Sequence, residues 1–190
     1  MNLPNKLTLS RFALTVAFLA VMLSQVRYHQ TLALALFIVA SLTDYFDGRI
    51  ARRDRLITNF GVLMDPLADK ILVCSAFIAF VDRGWISAWM VVIIVARELA
   101  ITGLRLLAAS KLVVLAAEGY GKHKTISQIV AIISILILQS YPEWGSCAKT
   151  IFDWWVPHFT VVSKWVAVVL TATSGLLYLW NNRRLYLDDL

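Results

Sequence analysis

Four aspartates at fixed spacing carry the chemistry that this sequence can do. Asp44 and Asp47 are three apart, and Asp65 and Asp69 are four apart. On a helix both spacings put the two side chains on one face. The segments that hold them border long apolar runs, where an ionised carboxylate costs about 2.5–3.5 kcal/mol at the centre of a bilayer span. A single such aspartate can be explained as a hydrogen bonder between packed helices. Two pairs on two adjacent segments need more. Brought within a few Å of one another, they repel and raise each other's pKa values unless a cation joins them. An all-oxygen donor set selects a hard ion, Mg²⁺ or Mn²⁺. Two such ions can hold a diphosphate and stabilise its displacement. Gly48 and Ala51 continue the Asp44–Asp47 face with almost no side chain, and Gly61 lies one turn before Asp65. A flat or bulky ligand can approach the backbone there. Arg52 is next to this face and suits bidentate contact with phosphate oxygens. Pro66 is expected near a helix start, where its missing N–H matters little.

A second group is basic. Arg97 and Arg105 are eight apart and project on nearly one side of a helix. Glu98 lies seven before Arg105 and can pair with it. Such a pair can simply tie two helices together. Lys122, Lys124 and Thr125 open the next helical segment, and helix N-termini with basic residues favour phosphate. Taken together, Arg97, Arg105, Lys122, Lys124 and Thr125 suggest a pocket for an acceptor that carries its own phosphate. Lys70 follows Asp69, but its helical angle points it elsewhere. Arg53 and Arg55 read as charge anchors, and His123 is given no role.

The elements that position these groups are apolar helices. The 190-residue chain is 59% hydrophobic, and its mean hydropathy is +0.72. That is too apolar for the surface of an ordinary soluble domain. Six spans are expected, at about 8–27, 31–52, 67–82, 86–109, 123–141 and 161–181. A short N-terminal interfacial helix precedes the first of them, after a turn at Pro4 and Asn5. The fold class is therefore an all-α integral membrane protein with six transmembrane helices, in one domain over 1–190. No cleavable signal peptide is expected. Segment 142–160, with Trp144, Trp154 and Trp155, reads as an aromatic anchor at an interface. Cys74 and Cys147 fall in a span and a loop, which makes a disulfide between them unexpected.

Basic residues also set the orientation. Lys6, Arg11, Arg49, Arg52, Arg53, Arg55, Arg105, Lys111, Lys122, Lys124, Arg183 and Arg184 fall at one end of the expected spans. Arg27, Arg83, Lys149 and Lys164 fall at the other. The first end is then cytoplasmic, together with both termini and the aspartates. The net charge of +6 is spread between apolar spans rather than along a soluble face, which argues against nucleic acid. A transporter would place its ion ligands nearer the membrane midplane.

The pattern Asp44-x-x-Asp47-Gly48-x-x-Ala51-Arg52, then eight residues, then Gly61-x-x-x-Asp65-x-x-x-Asp69 resembles the signature of the CDP-alcohol phosphotransferases. Every signature position is filled. The resemblance implies a six-helix membrane enzyme, usually a homodimer, which moves a phosphatidyl or similar group from a CDP-linked donor to an alcohol and releases CMP. It implies that Asp44, Asp47 and Asp65 are metal ligands, and that Asp69 is a metal ligand or the catalytic base. It implies that Asp44, Gly48, Ala51 and Arg52 bind the CDP portion, with Asn5 and Thr8 reaching the nucleotide from the interface. "NLPNKLTLSR" at the start, "ARELAITGLR" (96–105) and "GKHKT" (121–125) resemble the bacterial branch that makes phosphatidylglycerophosphate. That branch implies CDP-diacylglycerol and glycerol 3-phosphate as substrates and the cell membrane as location.

Direct displacement is the expected route, because no Ser, Cys or His is placed as a nucleophile. Three alternatives stand beside it. One is a sibling enzyme with inositol phosphate, serine or phosphatidylglycerol as acceptor. Another is a membrane prenyltransferase, which typically needs more spans than this length allows. The third is a divalent-cation transporter.

Overall fold

The computed structural model describes the backbone of residues 3–54, 59–111 and 120–187, and within these the side chains of 9–43, 70–111, 123–183 and 185–186. Every regular element among them is helical. Six long helices run in chain order: α1 (Leu3–Leu23), α2 (His29–Asp54), α3 (Asn59–Asp82), α4 (Ala88–Ser110), α5 (Tyr120–Ser140) and, after two short pieces, α7 (Val156–Asn181). The short pieces are a 3₁₀ turn (Tyr141–Trp144) and α6 (Ser146–Phe152), and a final turn of helix, α8, covers Arg184–Leu187. Two stretches, His123–Trp144 and Val156–Asn181, are long and apolar enough to cross a bilayer.

Side-chain contacts fix how the helices alternate. At one end Arg83, just past α3, donates from Nη2 to the carbonyl of Met22 at the close of α1 (2.7 Å). Lys164 in the third turn of α7 donates to the carbonyl of Trp85, between α3 and α4 (3.2 Å). Glu143, after α5, accepts from the backbone N–H groups of Gln30 (3.2 Å) and Thr31 (3.0 Å) in the first turn of α2. The bonds to Met22 and from Gln30 and Thr31 satisfy orphan groups at helix ends, which have no partner within their own helix. Together these contacts show that α1, α3 and α5 end where α2, α4 and α7 begin. The bundle is up and down, so the residues around Lys70, Arg105 and Lys124 lie toward the opposite end.

The α3–α4 connection shows the local logic. Trp85 N–H reaches back to the Phe80 carbonyl and Gly84 N–H to that of Val81, each at 2.9 Å. Gly84 has φ +71°, where a side chain would be strained. This is a Schellman ending, and its usual apolar contact is present as Phe80 against Trp85, with ring centroids 5.4 Å apart.

Among the described residues there are two apolar clusters: a smaller one joins Ile101 and Leu104 of α4 to Tyr178 of α7, and the larger draws on all six long helices. Phe18 and Met22 of α1 meet Ala33 and Phe37 of α2, Phe77 and Phe80 of α3, and Ile94 of α4. Ile132, Ile135 and Leu136 of α5 and Ala167 of α7 complete it. Outside it, Val16, Val92, Leu99, Leu106 and Leu176 are exposed. So much uncovered apolar surface is unusual for a protein in water and suits one in lipid.

Three expectations change. α3 begins at Asn59 rather than near 67, so Pro66 lies in the helix interior, where it has no N–H to give. Asp65 and Pro66 read from the sequence as a polar entry to the helix. α7 begins at Val156 rather than near 161, with Pro157 in its first turn, where proline is tolerated. Segment 142–160 is therefore structured. Residues 3–8, expected as a separate interfacial piece, are continuous with α1.

Candidate active site

The backbone places Asp44 and Asp47 within α2, and Asp65 and Asp69 within α3. Helical geometry then puts each pair on one face. Both helices pack on α1, and both pack on α5. The side chains of Asp44, Asp47, Gly48, Ala51, Arg52, Asp65 and Asp69 lie outside the described residues, as do those of Asn5, Thr8 and Lys122. The donor types suit a divalent cation, since carboxylates at these spacings supply only oxygen ligands.

Next along α3 from Asp69 is Lys70, where the described side chains begin, and the structure builds outward from it. Lys70 Nζ donates to Thr102 Oγ1 on α4 and approaches Glu98, 3.4 Å from its carbonyl and 3.8 Å from Oε2. Glu98 is the centre of the cluster, with its side chain only 5% exposed. Lys124, from the first turns of α5 and 8% exposed, donates to Glu98 Oε1. Arg97 Nη1 reaches the same oxygen at 3.2 Å. One carboxylate thus collects cations from α3, α4 and α5. Among the described residues it is the sole buried acid. A buried carboxylate is stable only when paired and hydrogen-bonded, and here it has both.

α7 supplies the wall. Gly175 faces Arg97 so closely that a Cβ there would lie 2.6 Å from Arg97 Cγ. The stem of Arg97 therefore lies across the α7 backbone. Its Nε is buried with no hydrogen-bond partner among the described residues. One turn further on, buried Tyr178 accepts from Arg105 Nε at 3.5 Å. The Arg105 guanidinium carbon sits 5.8 Å from the centre of that ring. Below Lys124 on α5, Gln128 donates to Thr171 on α7 at 2.9 Å. Interhelical polar bonds of this kind hold apolar helices in register.

The structure thus brings Arg97 and Lys124 together and sets Arg105 beside them against α7. Thr125 is exposed at the head of α5. The Glu98–Arg105 pair that the spacing allows is not formed. Glu98 turns to Lys124 and Arg97, and Arg105 turns to Tyr178 on α7. Sequence reasoning set Lys70 aside and did not single out Tyr178, Gly175 or Thr102. For Lys70 there was a signal, since a lysine inside an apolar helix needs an acidic partner and Glu98 lies on the next helix.

The opposite end holds no comparable cluster of charge among the described residues. It holds Trp85, Trp144 and Trp155, and Trp89 against Trp165 with ring centroids 5.6 Å apart. Trp144 Nε1 also donates to Thr31 Oγ1 at 2.8 Å. An anchoring role for segment 142–160 fits these tryptophans. Both cysteines are free thiols.

A family profile described as CDP-alcohol phosphatidyltransferase matches residues 1–173. A CDP-diacylglycerol–glycerol-3-phosphate 3-phosphatidyltransferase of Bacillus subtilis is 42% identical over 193 aligned residues, covering 95% of each chain. One of Rickettsia bellii with the same name is 34% identical, covering 93% of each. A probable phosphatidylglycerophosphate synthase of Mycobacterium tuberculosis is 41% identical, covering 93% of this chain and 79% of its own. By the profile match and by these relatives, the chain belongs to the CDP-alcohol phosphatidyltransferase family.

Proposed function

We propose that this protein transfers the phosphatidyl group of CDP-diacylglycerol to glycerol 3-phosphate, giving phosphatidylglycerol phosphate and CMP. The observation that carries the reading is the buried cluster of Lys124 and Arg97 around Glu98, with Arg105 close by and Asp69 next in the chain to Lys70. A phosphorylated acceptor needs cations near the reacting centre, and a neutral alcohol does not. The relatives named for this reaction cover most of the chain.

The family is generally metal-dependent. Two ions, Mg²⁺ or Mn²⁺, held by Asp44, Asp47, Asp65 and Asp69, would neutralise the donor diphosphate and the departing CMP. The chain's own residues do the rest. Asn5, Thr8, Gly48, Ala51 and Arg52 hold the CDP portion. Arg97, Arg105, Lys122, Lys124 and Thr125 hold the acceptor phosphate. Asp69 takes the proton from the acceptor hydroxyl as that oxygen attacks the β-phosphorus. The bond from the β-phosphorus to the CMP oxygen breaks, and CMP leaves with its electron pair.

The domain is single and multi-pass, with six spans. Basic residues concentrate at the aspartate end, which supports a cytoplasmic active site and cytoplasmic termini in the cell membrane. Water-soluble acceptor then meets a lipid-borne donor at one interface. The protein works as a homodimer in this reading. Purified protein given CDP-diacylglycerol and a panel of acceptors tests the assignment. Glycerol 3-phosphate should be consumed in preference to inositol phosphate, serine and phosphatidylglycerol. Turnover with inositol phosphate and none with glycerol 3-phosphate would overturn it.

A further inference from the structure

We infer that Glu98 is a positioning residue of the transfer reaction, which fixes the acceptor-phosphate cations in place relative to Asp69. The inference rests on the reading of the chain as a glycerol 3-phosphate transferase. Glu98 touches three cations that come from three helices. Its Oε1 takes both Lys124 of α5 and Arg97 of α4, and its Oε2 lies 3.8 Å from Lys70 of α3. Lys70 directly follows Asp69, so the same carboxylate connects the helix of the metal ligands to the residues proposed for the acceptor.

Its environment suits that task. The Glu98 and Lys124 side chains are 5% and 8% exposed, so water does little to screen them and a small shift is felt strongly. Lys124 and Arg97 repel each other, and only an anion between them holds both at one point. Lysine is a flexible point charge with a compact head. Without a fixed partner it would sample several positions, and an acceptor phosphate would have to order it on binding. Arg97 is held at Nη1 while its buried Nε has no partner among the described residues, so it retains donor capacity. Thr102 completes the set, since it accepts from Lys70 and donates to the Glu98 carbonyl at 2.7 Å.

The test compares wild type with Glu98→Gln and Glu98→Asp in detergent micelles containing CDP-diacylglycerol. Gln keeps the shape and removes the charge. Asp keeps the charge and draws it back by one methylene. The expected result for Glu98→Gln is a KM for glycerol 3-phosphate raised at least tenfold, with the KM for CDP-diacylglycerol within about twofold. Glu98→Asp should show the same split, reduced to about threefold, and it carries the test if Glu98→Gln does not fold. An unchanged KM for glycerol 3-phosphate would overturn the inference. A parallel rise in both KM values with a lower melting temperature would also overturn it, because it marks a purely structural ion pair. The wild-type arm separates this failure from failure of the function itself. If wild type uses another acceptor instead, the functional reading falls, and Glu98 is judged by the same split on that acceptor.

Discussion

Glu143, beyond the end of α5, seats its carboxylate on the first turn of α2. It accepts three hydrogen bonds there, one from the backbone N–H of Gln30 (3.2 Å) and two from Thr31, at its backbone N–H (3.0 Å) and its Oγ1 (2.6 Å). A negative charge is favourable at a helix N-terminus, where N–H groups lack partners. The same helix carries Asp44 and Asp47 near its other end, so the segment on the tryptophan side helps to fix the helix on which half of the proposed metal ligands stand.

Removing that cap should destabilise the protein without abolishing the chemistry. Glu143→Ala is expected to cost about 1–2 kcal/mol. That corresponds to a fall of about 2–4 °C in melting temperature per kcal/mol. Turnover below the melting point should stay within about threefold of wild type. Thermal melts and steady-state rates in the same detergent check both parts.

Gly175 should tolerate no side chain. Its Cβ would lie 2.6 Å from Arg97 Cγ, near the root of that side chain, so Arg97 must be displaced. Overpacking of this kind costs about 1–3 kcal/mol. Gly175→Ala is expected to raise the KM for glycerol 3-phosphate by about tenfold, more than it changes the KM for CDP-diacylglycerol. A steady-state KM for each substrate decides.

The legibility of the molecule from sequence was uneven, for physical reasons. Six apolar helical segments followed from composition, because each long helix carries its own run of apolar residues. The ends of α3 and α7 did not. Asp65 and Pro66 read as a helix entry and Trp154–Pro157 as a loop, but both helices begin earlier than those readings allow. In the basic cluster, periodicity showed that Arg97 and Arg105 share a side of α4. It could not show that Glu98 would choose Lys124, since that depends on how α5 docks. Gly175 is one small residue in an apolar helix, and only the approach of Arg97 gives it meaning. That Asp44 and Asp47 share one helix and Asp65 and Asp69 another was legible, because spacing within a helix is a local property.

Asp69→Asn should remove at least 99% of turnover with the fold intact, since it deletes a proposed base and metal ligand together. Circular dichroism and gel filtration should match wild type. Activity within about tenfold of wild type would take Asp69 out of the mechanism.

Metal removal should act in the same way and reversibly. Dialysis against EDTA is expected to abolish CMP release, and added Mg²⁺ or Mn²⁺ to restore it. Retained activity after complete chelation would separate the aspartates from metal binding.

The central claim is the coupled conversion of two substrates into two products, and the stoichiometry of purified protein in lipid vesicles tests it most directly. With CDP-diacylglycerol in the bilayer and labelled glycerol 3-phosphate outside, CMP and labelled phosphatidylglycerol phosphate should form one for one. Neither should form when glycerol 3-phosphate is omitted. Movement of divalent metal into the vesicles with no CMP released would contradict the account.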